Sequence, residues 1–186
     1  MQRPCWARCK THTCFHSFFF KDNLFLSIYI SLPFKTCIFA KNNRNIIVFN
    51  NIPDYLSTKL IQESLQAFVS DYGYSIDKLS YNFISKDAML ALNIKHLNHP
   101  THTDIISFDY SSNRTLRAEF FVSTWAVSLS AEENLQSVVN EMLRVLSHGV
   151  LHCMGFNDKS DTDKRIMRLE ENKFINMFHV KPIFHV

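Results

Sequence analysis

Leu79-Ser80-Tyr81-Asn82-Phe83-Ile84-Ser85 runs directly into Lys86-Asp87-Ala88-Met89-Leu90-Ala91-Leu92-Asn93-Ile94-Lys95-His96-Leu97. The first segment alternates with period two over most of its length, as a strand with one buried face does. The second, with Met89, Leu90, Leu92 and Ile94 among its apolar residues, reads as a short helix. The alternation of element types continues on both sides. Upstream, Ile46-Ile47-Val48-Phe49 is a β-rich run closed by the turn signal Asn50-Asn51-Ile52-Pro53. Ser57 then caps a helix whose apolar positions Leu60, Ile61, Leu65 and Phe68 keep helical spacing to about Tyr72. Downstream, strands are predicted over Ile105 to Tyr110 and Ala118 to Ser123, separated by a loop that includes Ser111-Ser112-Asn113-Arg114. Beyond them the chain is helical. One helix runs from about Ser137 to Met154, and another opens at the capping signal Ser160-Asp161-Thr162-Asp163 and continues to about Phe178. The pattern predicts an α+β domain over residues 44–180, a small mixed sheet of about four strands packed with helices, followed by a tail, 181–186.

A chain of 186 residues is long enough for one well-packed domain and short for two. Its formal charge of +3 points to no partner once it is located. Residues 1–40 hold five of the twenty Lys/Arg and one of the seventeen acids, leaving fifteen bases against sixteen acids in the rest. Any affinity for nucleic acid therefore has to come from a local patch. Four of the five cysteines (Cys5, Cys9, Cys14, Cys37) also lie in that segment. Cys153 alone remains for the body of the protein, which excludes a disulfide framework there and suits a reducing cytosol.

Residues 1–43 read as an extension to the domain, dispensable or wrongly assigned. Their apolar run Leu24 to Leu32, stopped by Pro33, is too short to span a bilayer as a helix. A targeting segment is the alternative, weakened by Lys21-Asp22 and by the lack of a small-residue cleavage site. A metal cluster from Cys5, Cys9, His12 and Cys14 matches no common zinc spacing.

The chemistry is concentrated in His148-Gly149-Val150-Leu151-His152-Cys153-Met154-Gly155-Phe156-Asn157-Asp158. Histidines four apart on a helix project from one face, a turn from each other, and can both reach one metal ion. Gly155 stands where a helix can end in the left-handed conformation, letting the chain reverse and bring Asp158 back toward the same point. Three protein ligands with a fourth position left for water describe a catalytic zinc site. A pair of histidines on an amphipathic helix can also be merely structural or solvated. The same spacing occurs in metzincin proteases, which place a glutamate after the first histidine as general base. Here that position is Gly149, which cannot transfer a proton, so peptidase activity of that type is disfavoured.

This stretch resembles the H-G-x-L-H-L-x-G-[YF]-x-H signature of the YbeY family of bacterial endoribonucleases. Two further blocks agree: Thr103-Asp104-Ile105-Ile106-Ser107-Phe108 resembles that family's T-[DN]-V-L-S-F strand, and Ala118-Glu119-Phe120-Phe121-Val122-Ser123 its G-D-I-x-I-S strand. Together the blocks cover roughly residues 45–178. The resemblance implies a small α+β metalloprotein with one zinc ion at the end of a long helix, held by His148, His152 and Asp158. It also implies cleavage of single-stranded RNA, maturation of the 16S rRNA 3′ end, ribosome quality control on the small subunit and a cytoplasmic setting, with neither DNA nor a membrane as partner. Three positions depart from the pattern. Asp158 replaces a histidine ligand, leaving the zinc site at about +1 instead of +2 and acidifying bound water less. Leu97 stands where the family has an arginine proposed to meet the RNA phosphate, a role leucine cannot fill. Glu119 replaces an aspartate.

Metal-assisted phosphodiester hydrolysis is the expected reaction. Asp104 and Glu119 are the candidate catalytic acids for proton transfer, although a turn or cap for Asp104 and an outward strand face for Glu119 are equally consistent with sequence. His99, His102, Arg114 and Arg117, with Lys159, are candidate RNA contacts, or else solvated surface residues. The alternative from another class is a ribosome-assembly factor with a structural zinc and little catalysis, which Leu97 favours.

Overall fold

Each helix begins just after a serine. In the computed structural model, which describes residues 45–97 and 100–180, the Oγ atoms of Ser57, Ser85, Ser123, Ser137 and Ser160 accept the backbone N–H three residues on, at 3.1–3.4 Å. Each serine satisfies one of the orphan donors of a first turn. Ser160 and Asp163 complete the reciprocal capping box that the sequence suggests. The segments 1–43 and 181–186, His99 and the side chain of Leu97, to which the sequence attaches several expectations, lie outside the described residues.

The order of elements is β1 (Ile46–Asn50), α1 (Thr58–Asp71), β2 (Ser75–Ile84), α2 (Lys86–Leu97), β3 (Ile105–Asp109), β4 (Thr115–Ser123), α3 (Thr124–Glu133), α4 (Val138–Cys153) and α5 (Asp161–His179). The four strands form one mixed sheet in the order β1-β2-β4-β3, parallel except for the β3–β4 hairpin. The fold class is as the sequence predicts, and several bounds differ. β2 starts four residues earlier than its alternation suggests, because the pairing slips between Ile76 and Lys78 and puts Asp77 out of phase. β4 starts at Thr115 because Asn113 and Arg114, at φ 48 and 58, make a two-residue turn with both central residues left-handed. Such turns usually carry glycine, and its absence here disguises the hairpin. α3 has no bounds in the sequence reading; only its Ser123 cap and the break after Glu133 define it.

Side chains of β4 divide the molecule. Leu116, Ala118, Phe120 and Val122 are buried on the face where Phe120 meets α4, while Arg117, Glu119 and Phe121 point to the opposite face, as strand alternation requires. On that far face α2 covers part of the sheet, with His96 edge-on to Phe108 and Phe108 edge-on to Phe121. The main core joins the near face to α1, α4 and α5 through Leu65, Phe68, Tyr81, Phe120, Leu146 and Phe174. Tyr81 stacks on Phe120 at 4.7 Å and donates its hydroxyl to the Leu146 carbonyl.

Gly149 sets how close α4 lies to the sheet. A Cβ there would sit 2.8 Å from the Phe120 ring and 3.0 Å from Ile105 Cδ1. Phe120 is fully buried and cannot swing away. Gly149→Ala is therefore expected to destabilise the fold. Overpacking costs about 1–3 kcal/mol, of which alanine's better helix propensity offsets about 1 kcal/mol. A denaturation midpoint at or above that of wild type would refute the close packing.

Candidate metal centre

The long helix α4 carries nine buried residues on its inward side and presents His148 and His152 at its outer margin, half-buried. It ends as the sequence predicts. Phe156 N–H bonds the Leu151 carbonyl at 3.0 Å and Gly155 N–H bonds that of His152 at 2.9 Å, the paired bonds of a Schellman motif. Gly155 takes φ +94 with nothing within 4 Å of a would-be Cβ, so backbone conformation, not space, calls for glycine there. The reversal returns the chain to the helix and sets Asp158 Oδ2 4.0 Å from His152 Nε2.

Both imidazoles are held from behind. His148 Nδ1 lies 2.9 Å from Glu171 Oε1, and His152 Nδ1 lies 3.0 Å from the Phe156 carbonyl oxygen. These partners are acceptors, so each Nδ1 carries the proton and each Nε2 offers a lone pair. The two Nε2 atoms face each other at 2.9 Å. Converging lone pairs repel unless something positive lies between them, and an Asp158 carboxylate oxygen completes a trio of atoms all within 4.8 Å of one another. A zinc ion bonded to two imidazoles at about 2.0–2.1 Å needs only a slight opening of that gap. The donor set fits the ion that the sequence suggests.

The electrostatics of the pair are unequal. Burial opposes charge on His148, but the hydrogen bond and charge of Glu171, with Asp104 and Asp158 nearby, hold its pKa above the ordinary histidine value. His152 is pushed down by burial and then by His148. Burial and then the neighbouring Asp109 push the thiol of Cys153, next in the chain, up to about 12.

The remaining sequence candidates separate. Asp104 is within electrostatic reach of His148; burial raises its carboxyl pKa, while its Oδ1 accepts the Ile105 N–H at 2.8 Å. Glu119 lies across the sheet, accepting from Asn82 Nδ2 at 3.1 Å, on the face turned away from α4. Arg117 shares that face and pairs with Asp77 at 3.7 Å. Arg114 sits at the hairpin tip with its guanidinium over Tyr74. His102, two residues before Asp104, packs edge-on against Trp125. Lys159 is exposed beside Asp158. Thus the fold brings together His148, His152, Asp158 and Asp104, and puts Glu119 and Arg117 on the other face of the sheet.

Glu171 went unnoticed in the sequence, although a signal for it existed. Met167, Glu171, Phe174 and Ile175 form the buried stripe of α5. A carboxylate in the middle of an apolar stripe must have partners.

Residues 42–179 match the model of the family described as Endoribonuclease YbeY. The chain is 41% identical over 104 residues to the Endoribonuclease YbeY of Flavobacterium johnsoniae, covering 56% of this chain and 75% of that one. It is 34% identical over 139 residues to that of Christiangramia forsetii, covering 75% and 93%. A solution structure of a Thermotoga maritima protein has the same fold at a TM-score of 0.55 and 21% identity, over 72% of this chain and 89% of that one. With paired histidines converging at the end of α4 and the family's model matched from before β1 to the end of α5, this chain belongs to the YbeY endoribonuclease family.

Proposed function

We propose that this protein is a zinc-dependent endoribonuclease that cuts single-stranded RNA, acting in the cytoplasm on the small ribosomal subunit, in 16S rRNA 3′-end maturation and ribosome quality control. The observation that carries the reading is the convergence of two Nε2 lone pairs and the Asp158 carboxylate in a chain of this family. Among the described residues, no helix is long and apolar enough to cross a membrane. When bound by these residues, zinc would supply Lewis-acid charge to a phosphodiester and acidify water. The chain's own residues do the rest. Glu171 and the Phe156 carbonyl keep each Nδ1 protonated, so that His148 and His152 present Nε2 and nothing else. Asp158 closes the third side, and its negative charge lowers the site's attraction for a phosphate relative to three histidines.

Asp104 is the better placed of the two candidate acids to move a proton. Its Oδ1 accepts the Ile105 N–H, and the carboxyl would take a proton from the attacking water or give one to the departing oxygen. Burial raises its pKa, the direction that suits proton exchange nearer neutrality. His102, close along the chain to Asp104, and Lys159, beside Asp158, are the proposed phosphate contacts, with Arg114 serving a more distant phosphate. Asp104→Asn is expected to slow single-turnover cleavage of an end-labelled single-stranded RNA by about 10²-fold. Bound zinc should stay unchanged. Zinc lost along with rate would make Asp104 a support of the metal centre and not a proton carrier.

One feature favours a second reading, an assembly factor with a structural zinc: Leu97 stands in the arginine position of the family signature. If purified wild type, His152→Ala and Asp158→Ala all leave the same faint RNA degradation, that second reading replaces the first.

A further inference from the structure

Behind His148 lies a charged network whose size exceeds what one histidine requires. Glu171 is 5% exposed and divides its carboxylate. Oε1 takes the His148 Nδ1–H, while Oε2 takes Arg144 Nη1 at 3.2 Å and Arg168 Nη1 at 3.4 Å. Arg144 reaches on to Glu141 at 3.4 Å and to Asn172 Oδ1 at 2.9 Å, and Glu141 accepts the Ser130 hydroxyl at 2.7 Å. The chain of contacts spans α3, α4 and α5. By contrast His152 is backed only by a neutral carbonyl.

We infer that Glu171 is a positioning residue for the metal centre, fixing His148 as an Nε2 ligand and making it the stronger donor of the histidine pair. The inference rests on the zinc reading given above. An imidazole that donates Nδ1–H to a carboxylate is oriented by it and becomes a more basic ligand at the other nitrogen, which a carbonyl achieves less well. Two guanidiniums on Oε2 anchor this buried carboxylate and leave Oε1 aimed at His148 Nδ1. Those guanidiniums also offset the charges of Glu171 and Glu141. Asp158 is then the one carboxylate among the three proposed ligands that reduces the ion's positive charge, so the backing of His148 does not cost the site its attraction for a phosphodiester.

Zinc affinity, measured by competition with a chromophoric chelator, tests this on full-length protein. Glu171→Gln keeps the shape and removes the charge; it should bind zinc about 10–100-fold more weakly than wild type. Nitrogen-15 spectra of the zinc-free protein should show a single Nδ1–H tautomer for His148 in wild type and a mixture in the variant. Glu171→Asp, which restores the anion, should bind more tightly than Glu171→Gln. Phe174→Leu is the packing control: it loosens α5 against Phe68, whose ring lies 5.3 Å away, without touching a charge. It should stay within about twofold of wild type. Glu171→Gln within twofold of wild type, Glu171→Asp no better than Glu171→Gln, or Phe174→Leu as weak as Glu171→Gln would each overturn the inference. Failure of the metal-centre reading looks different: wild type itself binds no zinc, or His152→Ala binds it as tightly as wild type.

Discussion

One zinc ion per chain in wild type and almost none in His152→Ala is the expected outcome, with RNA cleavage lower by about 10³-fold or more. A Lewis-acid metal contributes several kcal/mol to a phosphoryl-transfer transition state, and each 1.36 kcal/mol is a factor of ten in rate. Loss of one of three ligands, leaving His148 and Asp158, should lower occupancy below what a nanomolar protein sample retains. The fold should survive. His152 is half-buried, with 34% of its side chain exposed, and its loss removes the hydrogen bond to the Phe156 carbonyl. That bond is worth about 1 kcal/mol net. Elemental analysis, a thermal melt and a single-turnover cleavage assay on the same preparation separate the cases. A chelator should reproduce the defect in wild type, with zinc restoring the wild-type rate and leaving the variant inactive. Undiminished cleavage by metal-free His152→Ala would end the metal-dependent account.

The largest stability effect is expected at Phe120, under α4. Its ring is fully buried, stacks on Tyr81 and fills the space that Gly149 leaves against β4. Phe120→Ala removes the ring and opens a cavity that Gly149 cannot fill, at a cost of about 3–5 kcal/mol. Against a total stability of about 5–15 kcal/mol that is a large fraction. The melting temperature should drop by about 10 °C or more. Zinc affinity should weaken as well, because α4 would lose the surface that fixes its height above the sheet. A melting temperature within a degree or two of wild type would mean that Gly149 and Phe120 do not carry the packing assigned to them.

Much of this was legible in the residues before any coordinates. The helical spacing of His148 and His152, the helix-ending Gly155 and the Ser160 capping signal depend on contacts within a few residues, where local geometry decides. For the same reason the strand–helix alternation around residues 79–97 predicts the α+β class correctly. Local signals failed where the partner was distant or the turn unusual. Asp77 breaks the period of β2 by a slip against β4, and Asn113-Arg114 closes a hairpin without glycine.

The site divides in the same way. That Glu119 and Phe120 face opposite sides of a strand follows from the period of two alone; that Phe120 faces α4, turning Glu119 from the histidines, does not. Gly149 reads in the sequence as a missing general base. In the structure it is a point of close approach to Phe120 and Ile105, where a side chain would push α4 off the sheet. Glu171 could be recognised in sequence as a misplaced charge on the buried stripe of α5, and only the packing of α5 on α4 makes it the partner of His148, 23 residues away. The sequence by itself thus determined the strand–helix succession, the spacing of the candidate ligands and the turn that brings Asp158 back, because each is a property of neighbouring residues. The tertiary structure decided which face of the sheet the histidines occupy, which acid joins them and which carboxylate stands behind them, because those depend on how separate elements share one buried volume.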